Sequence, residues 1–296
     1  MTELLKPSVD FVFKKIFGSE ENKDEVLLNF VNEALRETEP KPFVSLTILN
    51  PQIDKNAMDD KQSILDVRAK TEDGKQVNLE IQVSNKYDMA KRSLYYSAKL
   101  YEEQLEEGKF YASLQKVISI NILTFNCMMN ERFHHIFHMK EIHTGELLID
   151  DIEIHFMELS KLGVKSHQMD NRLVNWLMFI NGTNQERWEE LAMDTPGLKK
   201  AMTTLEFLSQ DKEARMLYEM RKKALLDEQS ALDYAASRGR EEGREEGREE
   251  GKLEGKTERD KEIALNMLQK GMSISLIVEV TGLSEKEIEA LGKLLH

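Results

Sequence analysis

One stretch of this 296-residue chain leaves almost no freedom of register. In ILDVRAKTEDGKQVNLEIQV, residues 64–83, two runs alternate apolar and polar residues on either side of Glu72, Asp73 and Gly74, which is the pattern of an antiparallel hairpin. With those three residues as the loop and Gly74 in the left-handed position of a bulged turn, Thr71 lies opposite Lys75. Counting back sets Leu65 against Ile81, Val67 against Leu79 and Ala69 against Val77 on one side of the ribbon. The other side is polar: Asp66 opposite Glu80, Arg68 opposite Asn78, and Gln82 one step along. A two-residue loop would shift the pairing by one and set apolar residues against polar ones, which a half-buried sheet does not tolerate. The register therefore brings two carboxylates together.

The flanking segments supply layers for this hairpin. Val9, Val12, Phe13, Ile16 and Phe17 recur at i, i+3, i+4, i+7 and i+8, one face of a helix with Ser8 as its N-cap and Gly18 at its end. A second helix runs from Asp24 to Leu35 and gives way to loop before Pro40 and Pro42. After the hairpin, Leu94, Ala98, Tyr101 and Leu105 recur at helical spacing, which predicts a helix crossing the sheet. VISINILTF is rich in β-branched residues and reads as a buried central strand. Two further strands fall between Phe133 and Leu159, and the pattern is helical from about Leu173. The fold class is α/β with a mixed central sheet, followed by helices.

From Arg238 to Lys256 glycine recurs every fourth residue, at 239, 243, 247, 251 and 255, within a Gly-Arg-Glu-Glu repeat. Glu and Arg at i, i+4 favour helix by a few tenths of a kcal/mol, whereas each glycine costs about 1 kcal/mol, so such a helix wants a partner. Glycines on one slowly drifting stripe let two helices approach closely, which makes the C-terminal region the expected route to a homo-oligomer such as a dimer; a flexible charged linker is the other reading. KEIALNMLQKGMSISLIVEVTGLSEKEIEALGKLL reads as three short helices broken at Gly271 and Gly282 and capped by Ser273 and Ser284. Its shape is that of a helix-turn-helix. The helix that would enter a DNA groove carries Glu285, Glu287 and Glu289, which phosphates repel, so protein contact is favoured over DNA reading. The expected divisions are 1–225, 226–257 and 258–296.

Net charge −13 excludes a surface that coats nucleic acid or anionic lipid along its whole length, so any DNA contact is local. A single cysteine, Cys127, excludes an intrachain disulfide framework and a thiolate zinc site, and fits a reducing, cytoplasmic setting. No window approaches the roughly 20 apolar residues of a membrane span. His134 and His138 are four apart, but FHHIFHM alternates as a strand does, and on a strand the two are too far apart for one ion. No glycine-rich phosphate loop, nucleophile elbow or dinucleotide fingerprint is present.

Phosphodiester hydrolysis needs an activated water, a neutralised phosphate and a stabilised leaving oxygen, all of which Mg²⁺ supplies when held by one or two carboxylates. Asp66 and Glu80 meet that demand, and the backbone carbonyl of Ile81 is a further ligand on offer. An Asp and a Glu opposite each other on a sheet are more often solvated, or paired with an arginine such as Arg68. Against that stands a resemblance. DFVFKKIF near the start, ILDVR, LEIQ, RSLYY and the glycine-periodic tail together resemble the PD-(D/E)xK nucleases, and within them the recombination-promoting nuclease and transposase family, over nearly the whole chain.

The resemblance implies a restriction-endonuclease-like core and a Mg²⁺-dependent DNA endonuclease, with Mn²⁺ as the alternative metal, tied to recombination or mobile elements. It makes Asp66 and Glu80 the metal ligands, puts Gln82 where the family carries lysine, and offers Asp10 as an extra acid, a position a first-turn helix acid fills for its own reasons. Glutamine brings no positive charge, so Lys14, Lys70, Lys86 or Arg92 is expected to supply it. Tyr95 and Tyr96 are open to base stacking or to core packing. The competing reading is a nuclease-derived binding or assembly module without catalysis, and a purely acidic or filled pocket at Glu80 would favour it, whereas a basic side chain within a few Å of Glu80 favours catalysis.

Overall fold

The computed structural model describes residues 3–53, 63–85, 88–163 and 172–293. Its first helix, α1 (Asp10–Phe17), buries Val12, Phe13, Ile16 and Phe17, the stripe that the spacing marks out. It starts one residue later than a Ser8 cap implies. The N–H of Val9 closes a turn onto the Lys6 carbonyl, and Val9 occupies the cap position with no side-chain bond. A π-helical turn over Lys23–Leu27 leads into α2 (Leu28–Ala34). Where a loop is expected, β1 (Leu46–Leu49) forms and pairs antiparallel with β4 (Val67–Thr71), which the alternation of Leu46 and Ile48 permits. Between them, β2 (Gln52–Ile53) and β3 (Ser63–Ile64) make a short separate ladder.

The hairpin β4–β5, with β5 spanning Gln76–Gln82, has the register derived from its alternation: Val67 faces Leu79, Arg68 faces Asn78 and Ala69 faces Val77. Gly74 has φ +95° at the bulged turn. The register stops at Asp66, however. There the chain bends, the N–H of Leu65 bonds to the Pro51 carbonyl, and the Leu65 side chain packs with Leu100 and Val117 instead of facing Ile81.

α3 (Met89–Glu102) crosses over to β6 (Val117–Leu123), which lies parallel to β5 and is buried along its whole length. β8 (Leu147–Glu158) runs parallel to β6, and β7 (His134–Lys140) closes the far edge antiparallel to it. The strand order is β1-β4-β5-β6-β8-β7, a mixed six-stranded sheet.

One face carries Leu79, Ile81, Ile118, Ile120 and Ile122 into the main core, with Phe13 and Phe17 of α1, Phe30 of α2 and Trp176 of α4 (Arg172–Asn181). Phe17, Phe30 and Trp176 meet at 5.3–5.9 Å between ring centroids. α5 (Trp188–Asp194) and α6 (Leu198–Gln210) complete that layer. α3 covers the opposite face. There Ser97 Oγ meets Ser119 Oγ at 2.8 Å, and Ser93 Oγ donates to Asn121 Oδ1 at 3.0 Å. The polar side of the hairpin is therefore roofed by a helix and not open to water.

The chain divides into two compact units, Met1–Asp227 and Glu228–His296. α7 (Lys212–Gln269) is a single helix of 58 residues that includes the whole glycine repeat, where none of the five glycines has a neighbour within 4 Å of an added Cβ. In the second unit, α8 (Ile274–Thr281) and α9 (Glu285–Gly292) pack Ile277, Leu283 and Ile288 around Ala264 of α7. Gly271 and Gly282 turn the chain at φ +73° and +70°. Ser284 and Glu287 form a reciprocal capping box, whereas Ser273 occupies its cap position without a side-chain bond. Among the described residues no helix is long and apolar enough to cross a membrane.

Candidate active site

The bend at Asp66 builds the site. Leaving the ladder one residue early turns the Asp66 carboxylate back over β5, where the N–H of Ile81 donates to Oδ2 at 2.8 Å. Asp66's own N–H donates to Glu80 Oε1 at 3.2 Å. The two acids are thus interlocked through backbone donors, with side chains only 11% and residues 4% exposed for Asp66 and Glu80 respectively. Burial, and then the neighbouring Asp66 charge, push Glu80 up to about 8. Burial also raises Asp66, against the lowering effect of Lys14 and the Ile81 N–H.

Two cations answer this acidity. Lys14, on the second turn of α1, places Nζ 2.9 Å from Asp66 Oδ1. Arg92, on α3, donates to Gln82 Oε1 at 3.1 Å, and Gln82 Nε2 donates to Glu80 Oε2 at 3.2 Å. Gln82 is thereby a relay: its amide passes the polarity of Arg92 on to Glu80. The pocket is not purely acidic. Lys70 is exposed, four residues along the strand from the bend, and Lys86 lies outside the described residues.

Arg68, the partner that would make Asp66 and Glu80 a plain ion-paired surface, is engaged elsewhere, with Glu103 at 3.0 Å and Gln76 at 2.9 Å. Asp10 adds repulsion to Asp66 but, among the described residues, accepts a hydrogen bond only from the N–H of Phe11, at 2.7 Å, and lies 3.9 Å from Arg221. Tyr96 packs against the Leu65 cluster under the Arg92 guanidinium, 5.7 Å from its ring centre, while Tyr95 is 39% exposed.

This donor set is all oxygen, largely buried and doubly acidic, and it suits a hard divalent cation, which takes few carboxylates at close range. The Asp66 charge that raises the proton affinity of Glu80 is relieved by a bound metal as it is by a proton. The residues present fit Mg²⁺.

Residues 7–235 match the family described as PD-(D/E)XK nuclease family transposase. Residues 257–293 match the C-terminal HTH domain of the Rpn/YhgA-like nuclease family. Searches of curated proteins and of solved structures return no match.

Proposed function

The chain belongs to the PD-(D/E)XK nuclease transposase family, and from that premise we propose that it is a Mg²⁺-dependent DNA endonuclease, with Mn²⁺ as the alternative metal. The observation that carries this reading is the buried Asp66–Glu80 pair flanked by Lys14 and by Arg92 through Gln82. When bound, the cation supplies phosphate neutralisation, an acidified water and charge relief at the leaving oxygen.

The chain's own residues do the rest. Asp66 and Glu80 are the metal ligands, with the Ile81 carbonyl as a third. Glu80 sheds a proton from its carboxyl as the ion is taken up. Lys14 favours the charged form of Asp66 against the effect of burial and presents a positive charge to the phosphate, the task given to lysine elsewhere in the family. Gln82 orients Glu80. Asp10, one turn before Lys14, is a lesser acid whose charge raises the proton affinity of Asp66.

In this reading Lys14→Met slows DNA cleavage by about 100-fold and Lys14→Arg restores part of it. Metal-dependent cleavage of a labelled duplex, stopped by EDTA, checks both; cleavage by Lys14→Met at the wild-type rate would remove Lys14 from the account.

DNA is the substrate and a cytoplasmic setting fits Cys127, which is free. The divisions 1–225, 226–257 and 258–296 then separate a cutting domain from an assembly region, with links to recombination or mobile elements. The helix-turn-helix serves protein contact, because Glu285, Glu287 and Glu289 crowd α9.

The glycine stripe of α7 is the proposed dimer contact. Gly243→Ala with Gly247→Ala stabilises the isolated helix by about 1 kcal/mol per site, since the added methyls meet nothing. The same pair of changes is expected to weaken self-association in sedimentation equilibrium. Unchanged association would exclude the stripe.

A further inference from the structure

A second constellation lies on the other face of the sheet. Glu80 is in register with Asn121, and Asn121 with Phe156; Glu153, three residues before Phe156, therefore points to the opposite side. Glu153 and His155 are fully buried there. Glu153 Oε1 is committed: Thr38 Oγ1 donates to it at 2.7 Å, and His155 Nε2 lies 2.5 Å away. His155 Nδ1 in turn meets His134 Nε2 at 2.9 Å. This chain fixes the carboxylate so that Oε2 faces a single spot, the support that an outer shell gives a metal ligand.

At that spot Oε2 accepts no well-aligned hydrogen bond and is held by the Lys116 ammonium at 2.7 Å, and the buried Nδ1 of His138 likewise has no aligned partner. What they face is charged. His138 Nε2 is 3.5 Å from Glu153 Oε2, and His138 Nδ1 is 2.9 Å from Asp150 Oδ1. The ammonium of Lys116 lies 2.7 Å from Glu153, 2.8 Å from Asp150 and 3.2 Å from Glu39. With Lys75 also 2.6 Å from Glu39, two ammoniums stand among three carboxylates, and the side chains of His138, Asp150 and Glu153 converge on the acidic end of that group. A cation held there adds the positive charge that Lys116 alone divides among them.

We propose that His138, Asp150 and Glu153 form a second cation site, distinct from the Asp66–Glu80 pair and selective for a borderline ion of the Zn²⁺ class. One ligand atom from each residue lies within 4.8 Å of the others, so small side-chain rotations bring all three to metal-bond distances of about 2.1 Å. An imidazole with two carboxylates suits Zn²⁺, Mn²⁺ or Co²⁺, and Mg²⁺ has no call for the nitrogen. Lys116 yields the space by keeping to Glu39, which it already touches. Asp150 is half-exposed, which opens a route in from solvent and leaves coordination positions for water. His138 sits on the edge strand, where the β7–β8 register shifts between Phe137 and Met139, so the bound ion clips β7 to β8.

The test uses the full chain carrying Asp66→Asn, so that the other site does not report. Isothermal titration with Zn²⁺ and the visible absorption of added Co²⁺ are read against chains that also carry His138→Ala or, as a change at a half-exposed position, Asp150→Asn. The Asp66→Asn chain is expected to bind one equivalent with nitrogen-ligated Co²⁺ bands and to melt higher when loaded. His138→Ala loses that equivalent, and Asp150→Asn weakens it by more than about 10-fold. No binding by the Asp66→Asn chain, or undiminished binding after both further changes, overturns the site.

Discussion

Asp66→Asn is expected to slow DNA cleavage by about a thousand-fold while leaving the folded chain at nearly its original stability. Asparagine keeps the shape of the side chain and an oxygen for the Ile81 N–H, now bonded at 2.8 Å, so the bend that builds the site survives. The charge does not. Lys14 loses its partner at 2.9 Å, and Glu80 loses the neighbour that holds its proton on, so both polarities of the site change together. A metal site with one carboxylate binds a hard divalent ion far less well. Single-turnover cleavage and a melting curve on the same preparation check this. A loss of activity matched by a collapse in melting temperature would move Asp66 from chemistry to structure, and an unchanged rate would remove it from both.

Glu80→Gln is expected to do the reverse of an ordinary core substitution and stabilise the metal-free protein at alkaline pH. The Glu80 carboxyl titrates at about 8 in the folded chain, against an ordinary value of 4.5. Below the lower value the folded and unfolded chains both hold the proton. Between the two values only the folded chain does, so stability falls as pH rises, on the order of 1 kcal/mol for each pH unit. Glutamine has no proton to lose, and its amide can still accept from the Asp66 N–H now at 3.2 Å. Melting temperatures of wild type and Glu80→Gln should therefore meet near the ordinary carboxylate value and separate by several degrees near pH 8, the variant being the higher. Mg²⁺ should narrow the gap by raising the wild type alone. Parallel pH profiles would show that Glu80 carries no such strain. DNA cleavage by the variant is expected to be lost under every condition.

The hairpin was legible because two independent constraints agree there. A Gly74 bulged turn and strict alternation leave one register, and Val67–Leu79 to Ala69–Val77 follow it. Asp66 and Leu65 depart from it because Leu65 gains more by packing with Leu100 and Val117 than by staying in line, a choice set by α3, which is distant in sequence. Alternation also cannot distinguish a polar face wetted by solvent from one roofed by a helix. Arg68, Asn78 and Glu80 look like surface positions, yet all three are buried because α3 and its loop bring Glu103 and Arg92 to that face. β1 was obscured by Pro40 and Pro42, whose loop signal outweighs two alternating residues.

The missing lysine illustrates a different limit. Lys14, Lys70, Lys86 and Arg92 are equivalent on sequence grounds, because reach depends on where α1 and α3 cross the sheet. Lys14 is drawn to Asp66 because Phe13 and Phe17 anchor α1 in the core and turn its neighbouring face toward the bend. The Glu153–His155 pair carries a signal of its own in the sequence: two polar side chains at alternate positions of a buried strand require partners, and Thr38, Lys116 and His134 provide them.

The most direct measurement is plasmid cleavage by the purified full-length chain with Mg²⁺, with Mg²⁺ plus EDTA, and with Asp66→Asn in parallel, each across a range of salt. The account predicts nicking and linearisation in the first case alone, weakening as salt rises and phosphate contacts are screened. Equal conversion by the wild type and Asp66→Asn, or no conversion by either across the salt series, would contradict it.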